Sequence, residues 1–190
     1  MLITLTIIYL QGVGPMDFDV AMQLIKRLEG GYVNDSKDKG GETKFGISKN
    51  AYPDLDIANL TYREAVAIYR RDYWDTIRGD DLPPAVALIV FDHAVNAGVS
   101  VAAKLLQDLV GVSQDGIVGP HTISFTEIWF YSKPFQTVRL LSEKRLRFYK
   151  RLRDYDIWGK AWDKRTLHVL TVATLWASAD RLQRGLGIND

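Results

Sequence analysis

Glu29 ends an apolar helical stripe and leads into a glycine-rich segment carrying Asp35, Asp38 and Thr43, a combination suited to acid–base chemistry. From Asp17 to Glu29, the residues Phe18, Met22 and Ile25 recur at spacings of four and three, which predicts a helix with one buried face. At about 100° per residue, Glu29 projects close to the mean direction of that stripe. Partial burial disfavours the charged carboxylate, and the negative end of the helix dipole acts in the same sense, so both raise its pKa. A general acid working near neutral pH needs that shift. On position alone, the commoner outcome is a glutamate that ends its helix and turns to solvent. Glycosidic cleavage requires a protonated acid at the leaving oxygen and usually a second carboxylate, and Asp35 and Asp38 follow within reach in sequence. Either aspartate could instead be a turn residue whose side chain satisfies loop amides.

These residues need elements to hold them. Asp17 is a fitting N-cap for the first helix. Residues 30–53 carry Gly30-Gly31, Asn34-Asp35, Gly40-Gly41 and Gly46, which exclude helix, and Thr43-Lys44-Phe45 with Ile47 suggests a small hairpin. Thr61-Tyr62-Arg63-Glu64 has capping-box form. Pro83-Pro84 starts a helix over 85–97 that Gly98 stops, and 99–110 follows as another, ending at Gly111. Gln114 to Pro120 reads as a loop closing on a helix start. Beyond it, Val138, Leu141, Phe148, Leu152 and Tyr155 sit at whole-turn spacings, and a last helix is expected over about 164–182. The fold class is mostly α, with strand confined to the glycine-rich segment.

Composition narrows the function classes. A 47% hydrophobic chain of 190 residues can bury a substantial core, and 24 Lys+Arg against 23 Asp+Glu leave a net charge of +1, without the basic excess of a nucleic-acid binder. The absence of cysteine excludes disulfides and thiol nucleophiles. His93, His121 and His168 lack short ligand spacing and read as core or surface residues, so no metal site is expected. Met1 to Leu10 is apolar but has no basic leader and is about half the length that spans a bilayer, so it is expected to be neither signal peptide nor membrane anchor. Gly14-Pro15 interrupts it, and residues 1–15 are expected to be an extension outside the fold.

The run Glu29-Gly30-Gly31-Tyr32-Val33-Asn34-Asp35, then Asp38, Gly40-Gly41-Glu42-Thr43 and Phe45-Gly46-Ile47-Ser48, resembles the signature of the glycoside hydrolase family 108 muramidases, some of which are labelled secretion activators. The resemblance continues through Tyr69-Arg70-Arg71-Asp72-Tyr73-Trp74 and Phe91-Asp92-His93-Ala94-Val95-Asn96-Ala97-Gly98. It extends into Leu106-Gln107, Asp115-Gly116-Ile117-Val118-Gly119-Pro120, Gly159, Trp162 and Arg165, which look like the peptidoglycan-binding part that accompanies these enzymes. Ser36-Lys37 departs from the family, where many relatives carry proline after Asn-Asp.

The resemblance implies a lysozyme-like helical fold, with a catalytic lobe over 16–100 and a helical peptidoglycan-binding lobe over 101–190 packed on it. It implies Glu29 as catalytic acid. A looser similarity to phage-type lysozymes, whose acid, aspartate and threonine are spaced almost as Glu29, Asp38 and Thr43 are here, favours Asp38 over Asp35 as the second carboxylate and suggests an inverting attack by water. Tyr73 and Trp74 could stack on a sugar ring or belong to the core, and Asn96 could hold an acetamido group or cap its helix. Trp158 and Trp162 are expected to pack on each other or on the core. The basic run Arg145, Arg147, Lys150, Arg151 and Arg153 is expected to be a solvated face, or to lie against an anionic wall. The implied partner is the peptidoglycan glycan strand, with neither nucleic acid nor stable membrane insertion and no cofactor. The place of action would be the periplasm or cell wall, after synthesis in the cytoplasm. Lytic transglycosylation of the same bond, or wall binding and assistance to secretion without catalysis, are the alternatives.

Overall fold

The computed structural model describes residues 17–28 and 41–185. Seven α-helices and one two-stranded antiparallel sheet account for most of them: α1 Phe18–Leu28, β1 Thr43–Lys44, β2 Ile47–Ser48, α2 Tyr62–Tyr69, α3 Pro84–Ala97, α4 Val99–Val110, α5 Pro120–Ser132, α6 Pro134–Lys150 and α7 Tyr155–Gly185. The mostly α, lysozyme-like expectation holds. Residues 1–15, treated as an extension, lie outside the described residues.

Local chemistry explains most of the boundaries. The Asp17 carboxylate accepts from the backbone N–H of Asp19 and Val20, capping α1. The Thr61 hydroxyl and the Glu64 carboxylate form the reciprocal capping box of α2. Pro84 opens α3 at a position where a missing N–H costs nothing, and Gly98 at φ 94° and Gly111 at φ 76° end α3 and α4. After α2 the helix widens over Arg70–Trp74 into a π turn, in which Asp75 N–H donates to Arg70 O at 2.8 Å. A short 3₁₀ turn, Gly79–Asp81, then leads to α3.

Helix α3 is the axis of the molecule. Every residue from Ala85 to Ala94 is buried, as expected of a helix apolar on all sides. Phe18 from α1, Trp74 from the π turn and Phe91 from α3 form an aromatic cluster with centroids 5.3–5.9 Å apart. The same hydrophobic core runs on through Leu106, Val138, Val172 and Trp176, so α4, α6 and α7 close on α3 as α1 and α2 do.

Two helical boundaries differ from expectation. The stretch from Val138 to Tyr155 is broken at 151–154, where Arg151 and Leu152 N–H bond back to Phe148 and Tyr149 O and the chain turns so that α7 can pack along α6. Helix α7 then begins at Tyr155 rather than near Lys164. Trp158, expected to be packed, is 56% exposed, whereas Trp162 stacks on Tyr149 at 5.1 Å. Among the described residues no helix is long and apolar enough to cross a membrane.

Candidate functional site

The hairpin after α1 is built on a two-residue turn, Phe45-Gly46, with both residues at positive φ (53° and 77°) and Thr43 opposite Ser48. Paired left-handed residues give a turn whose twist matches the strands it joins. The non-glycine residue in that conformation is held by tertiary contacts. Buried Tyr69 of α2 donates its hydroxyl to Phe45 O at 3.0 Å, and the Phe45 ring meets Tyr62 edge to face. Thr43, partly buried on β1, donates its hydroxyl to Gly41 O at 3.1 Å. With its proton so engaged, that oxygen is left as an acceptor, which can receive a hydrogen from a water molecule.

Beside the hairpin lies a polar cluster to which the residue pattern gave no role. Tyr52 donates to Asp72 Oδ2 at 2.9 Å, and both Asp72 oxygens accept from Arg71. Arg71 holds the Asp72 carboxyl below the usual range and Tyr52 adds to the effect, while burial and the Asp72 acceptor push the Tyr52 phenol upward. Asp72 is thus ionised and committed, able to fix Tyr52 but unsuited to donating a proton. Tyr52 precedes Pro53 in a turn-rich stretch, and a hydroxyl-bearing aromatic there was the one available signal.

Tyr73, half-buried, leans on Tyr69 with centroids 5.6 Å apart, so part of its ring borders the cluster and part meets solvent. Trp74 requires a correction. It is 1% exposed inside the aromatic core, its indole N–H donates to Asp80, and Gly79 sits so close that an added Cβ would lie 2.4 Å from the indole. Both faces are covered, which removes it as a sugar platform. Asn96 is exposed at the end of α3 and donates to Asp92 O at 2.6 Å, back-bonding within its own helix. Glu29, Asp35 and Asp38 lie outside the described residues. The stripe that leads to Glu29 is described, and Phe18, Met22 and Ile25 are all buried. No cluster of three or more potential metal ligands occurs among the described residues.

Residues 22–98 match the family model described as Glycosyl hydrolase 108, and that span runs from α1 through the hairpin to the end of α3. Twelve chains of solved structures are similar. One is the structure of SagA from Brucella abortus, 33% identical, with a TM-score of 0.77, covering 84% of this chain and 95% of that one. The chain belongs to the glycosyl hydrolase 108 family. None of the curated proteins matches it.

In this family member the part beyond residue 98 is tied to the matched part by buried charge. Asp92 of α3 is fully buried, with Arg145 Nη2 of α6 2.5 Å from Oδ2 and Arg165 Nε of α7 donating to Oδ1 at 2.9 Å. Burial alone would raise Asp92, but the two guanidinium groups more than offset it and hold the carboxyl below the usual range. Arg145, expected on a solvated face, is 0% exposed because its charge is used here. Its guanidinium also donates to the Tyr149 hydroxyl, which lies 3.3 Å from His93 Nδ1. Burial and the nearby Arg145 charge lower His93 to about 3, so it stays neutral and is no proton shuttle at physiological pH.

Gln107 of α4 does similar work for the Asp115–Pro120 loop. Its amide NH2 donates to Asp115 Oδ1 and Ile117 O with Thr122 Oγ1 3.2 Å away, and its carbonyl accepts from Gly116 N–H. Gly116 is required, since at φ 82° an added Cβ would lie 2.3 Å from Ser100 Oγ. A buried glutamine satisfied on both ends pins the loop against α4 and α5.

Proposed function

We propose that the chain is an N-acetylmuramidase of the lysozyme type, hydrolysing the β-1,4 bond between N-acetylmuramic acid and N-acetylglucosamine in peptidoglycan, with Glu29 as general acid. The observation that carries this reading is the buried stripe Phe18, Met22 and Ile25 within a glycosyl hydrolase 108 chain, because Glu29 is the next position in that series. A carboxyl in such a place is kept protonated by apolar surroundings and by the helix terminus, and can give its proton to the leaving glycosidic oxygen.

Asp38 takes a proton from the attacking water, and the acceptor oxygen of Thr43 receives the water's other hydrogen, so that a lone pair faces the anomeric carbon. The outcome is inversion. Glu29 ends ionised and Asp38 protonated, and exchange with solvent resets both. Asp35, Tyr73 and Asn96 contribute to substrate binding. The helical part after residue 100 holds the peptidoglycan, and the enzyme acts at the cell wall or in the periplasm. A protonated carboxyl and a positioned water suffice for this chemistry.

Replacing Glu29 by Gln is expected to lower lysis of purified cell walls by about 10²–10⁴-fold, the usual worth of a general acid, with an unchanged circular dichroism spectrum. Normal lysis by Glu29→Gln would overturn the assignment. Mass spectrometry of the muropeptides separates the chemistries, since hydrolysis adds a water whereas a lytic transglycosylase leaves a 1,6-anhydro end. Wall binding with no released product would mark a non-catalytic protein.

A further inference from the structure

Between α4 and α6 the surface carries a groove of about 440 Å³, within the roughly 300–1,000 Å³ range of small-ligand clefts. Lys104 from α4, and Lys144, Arg147 and Arg151 at and just after the end of α6, line it together with Phe148. The carboxylate in the lining, Asp108, is already paired with Lys144. Arg147 lies 3.9 Å from Glu143, which is itself bonded to Arg139. Lys104 runs beside Gly116 near Asp115, whose Oδ1 is bonded to Gln107 and to the Ile117 N–H. The groove therefore keeps a local excess of positive charge in a molecule whose net charge is only +1.

We propose that this groove binds the carboxylates of the stem peptide that peptidoglycan carries on its glycan strand, an inference that rests on the muramidase reading above. Once the lactyl group of muramic acid is joined to a peptide, the strand's negative charge resides on that peptide rather than on the sugars. Guanidinium groups recognise carboxylates through two parallel hydrogen bonds, and Phe148 offers a face to the aliphatic parts of short side chains. The residues separate the two tasks, with bond cleavage assigned to the segment after α1 and peptide recognition to the α4–α6 face.

Calorimetric titration of the full chain with a sugar-free stem tetrapeptide tests this. Saturable binding is expected, weakening as salt is added. The double variant Arg147→Glu/Arg151→Glu, or capping the peptide's carboxylates as amides, is expected to weaken it at least about tenfold. Lys133→Glu, an exposed change outside the groove, is expected to leave it as it is. On intact walls the double variant should raise KM more than it lowers kcat, and reduce the preference for peptide-bearing over peptide-stripped strands. Equal binding of the amidated peptide, displacement by inorganic phosphate at the same concentration as by peptide, or an unaffected double variant would each overturn the proposal. Both arginines are exposed, so the variant retains its core contacts. The titration involves no bond cleavage, so its result is independent of whether Glu29→Gln abolishes lysis.

Discussion

Replacing Asp92 by Ala is expected to destabilise the protein far more than any change in the cleavage chemistry does. The carboxylate is 0% exposed and faces Arg145, which is also 0% exposed, so its loss strands a buried cation whose only escape is partial unfolding. Breaking a buried pair by removing one partner typically costs about 3–5 kcal/mol. For a chain of this size, a change of 1 kcal/mol shifts the melting temperature by about 2–4 °C, which puts the expected drop at roughly 6–20 °C. Arg165→Ala should cost less, because that side chain is 12% exposed and Asp92 would keep Arg145. Removing Asp92 and Arg145 together, as in Asp92→Leu/Arg145→Met, should recover part of the loss, since apolar replacement of a buried pair is often close to neutral and the Arg165 left behind is 12% exposed. Thermal and urea unfolding followed by circular dichroism provide the measurement. A single variant within about 1 kcal/mol of the parent, or a double variant worse than the single, would refute the view that this pair clamps α6 to α3.

Acid should act on the same network. The unfolded chain takes up a proton on His93 near 6.5, while the folded chain refuses it until about 3, so stability falls as pH drops through that window. Asp92, held below the carboxylate range by its arginines, contributes stability that is lost at still lower pH. Melting temperatures measured against pH should show the decline starting near 6.5, and His93→Gln should remove its upper part; a flat parent profile down to pH 4 would contradict this. Tyr69→Phe deletes the hydroxyl that anchors Phe45 O and should cost about 0.5–1.5 kcal/mol while lowering kcat through the hairpin, which unfolding and lysis assays together can read. If cleavage inverts, proton NMR of freshly released product should show the α-anomer first; initial β-anomer would remove Asp38 as base and point to a retaining route.

Much of this was readable from residue spacing. The buried stripe of α1, the capping box of α2 and the bounds of α3 and α4 each follow from a local rule that the core then agrees with. Helix α5 was legible only as a start at Pro120, because Phe125, Ile128 and Tyr131 stay exposed while Thr122 and Thr126 are buried, which blurs the apolar stripe. Arg145 was misplaced, and Trp74 was left between sugar platform and core, for a shared reason. Spacing reports which face a residue occupies, but not that a distant Asp92 neutralises the arginine or that Phe18 and Phe91 enclose the tryptophan. Tyr52 and Gln107 owe their roles to partners elsewhere in the chain, Asp72 for the one and the Asp115–Thr122 loop for the other, which local periodicity does not reveal.

The widened turn at Arg70–Trp74 sets the phase between two aromatic neighbours. One extra residue in that turn lets Tyr69 reach back to the hairpin, leaves Tyr73 at the border with solvent and still delivers Trp74 to the core. Excising Arg71 would take out the residue that widens the turn and return the segment to a regular helix, with the residues after it kept in phase. The indole would keep its socket, while Asp72 would lose the guanidinium that holds it beside Tyr52. The wide turn thus lets the chain carry one added cation beside the hairpin without displacing the aromatic core behind it.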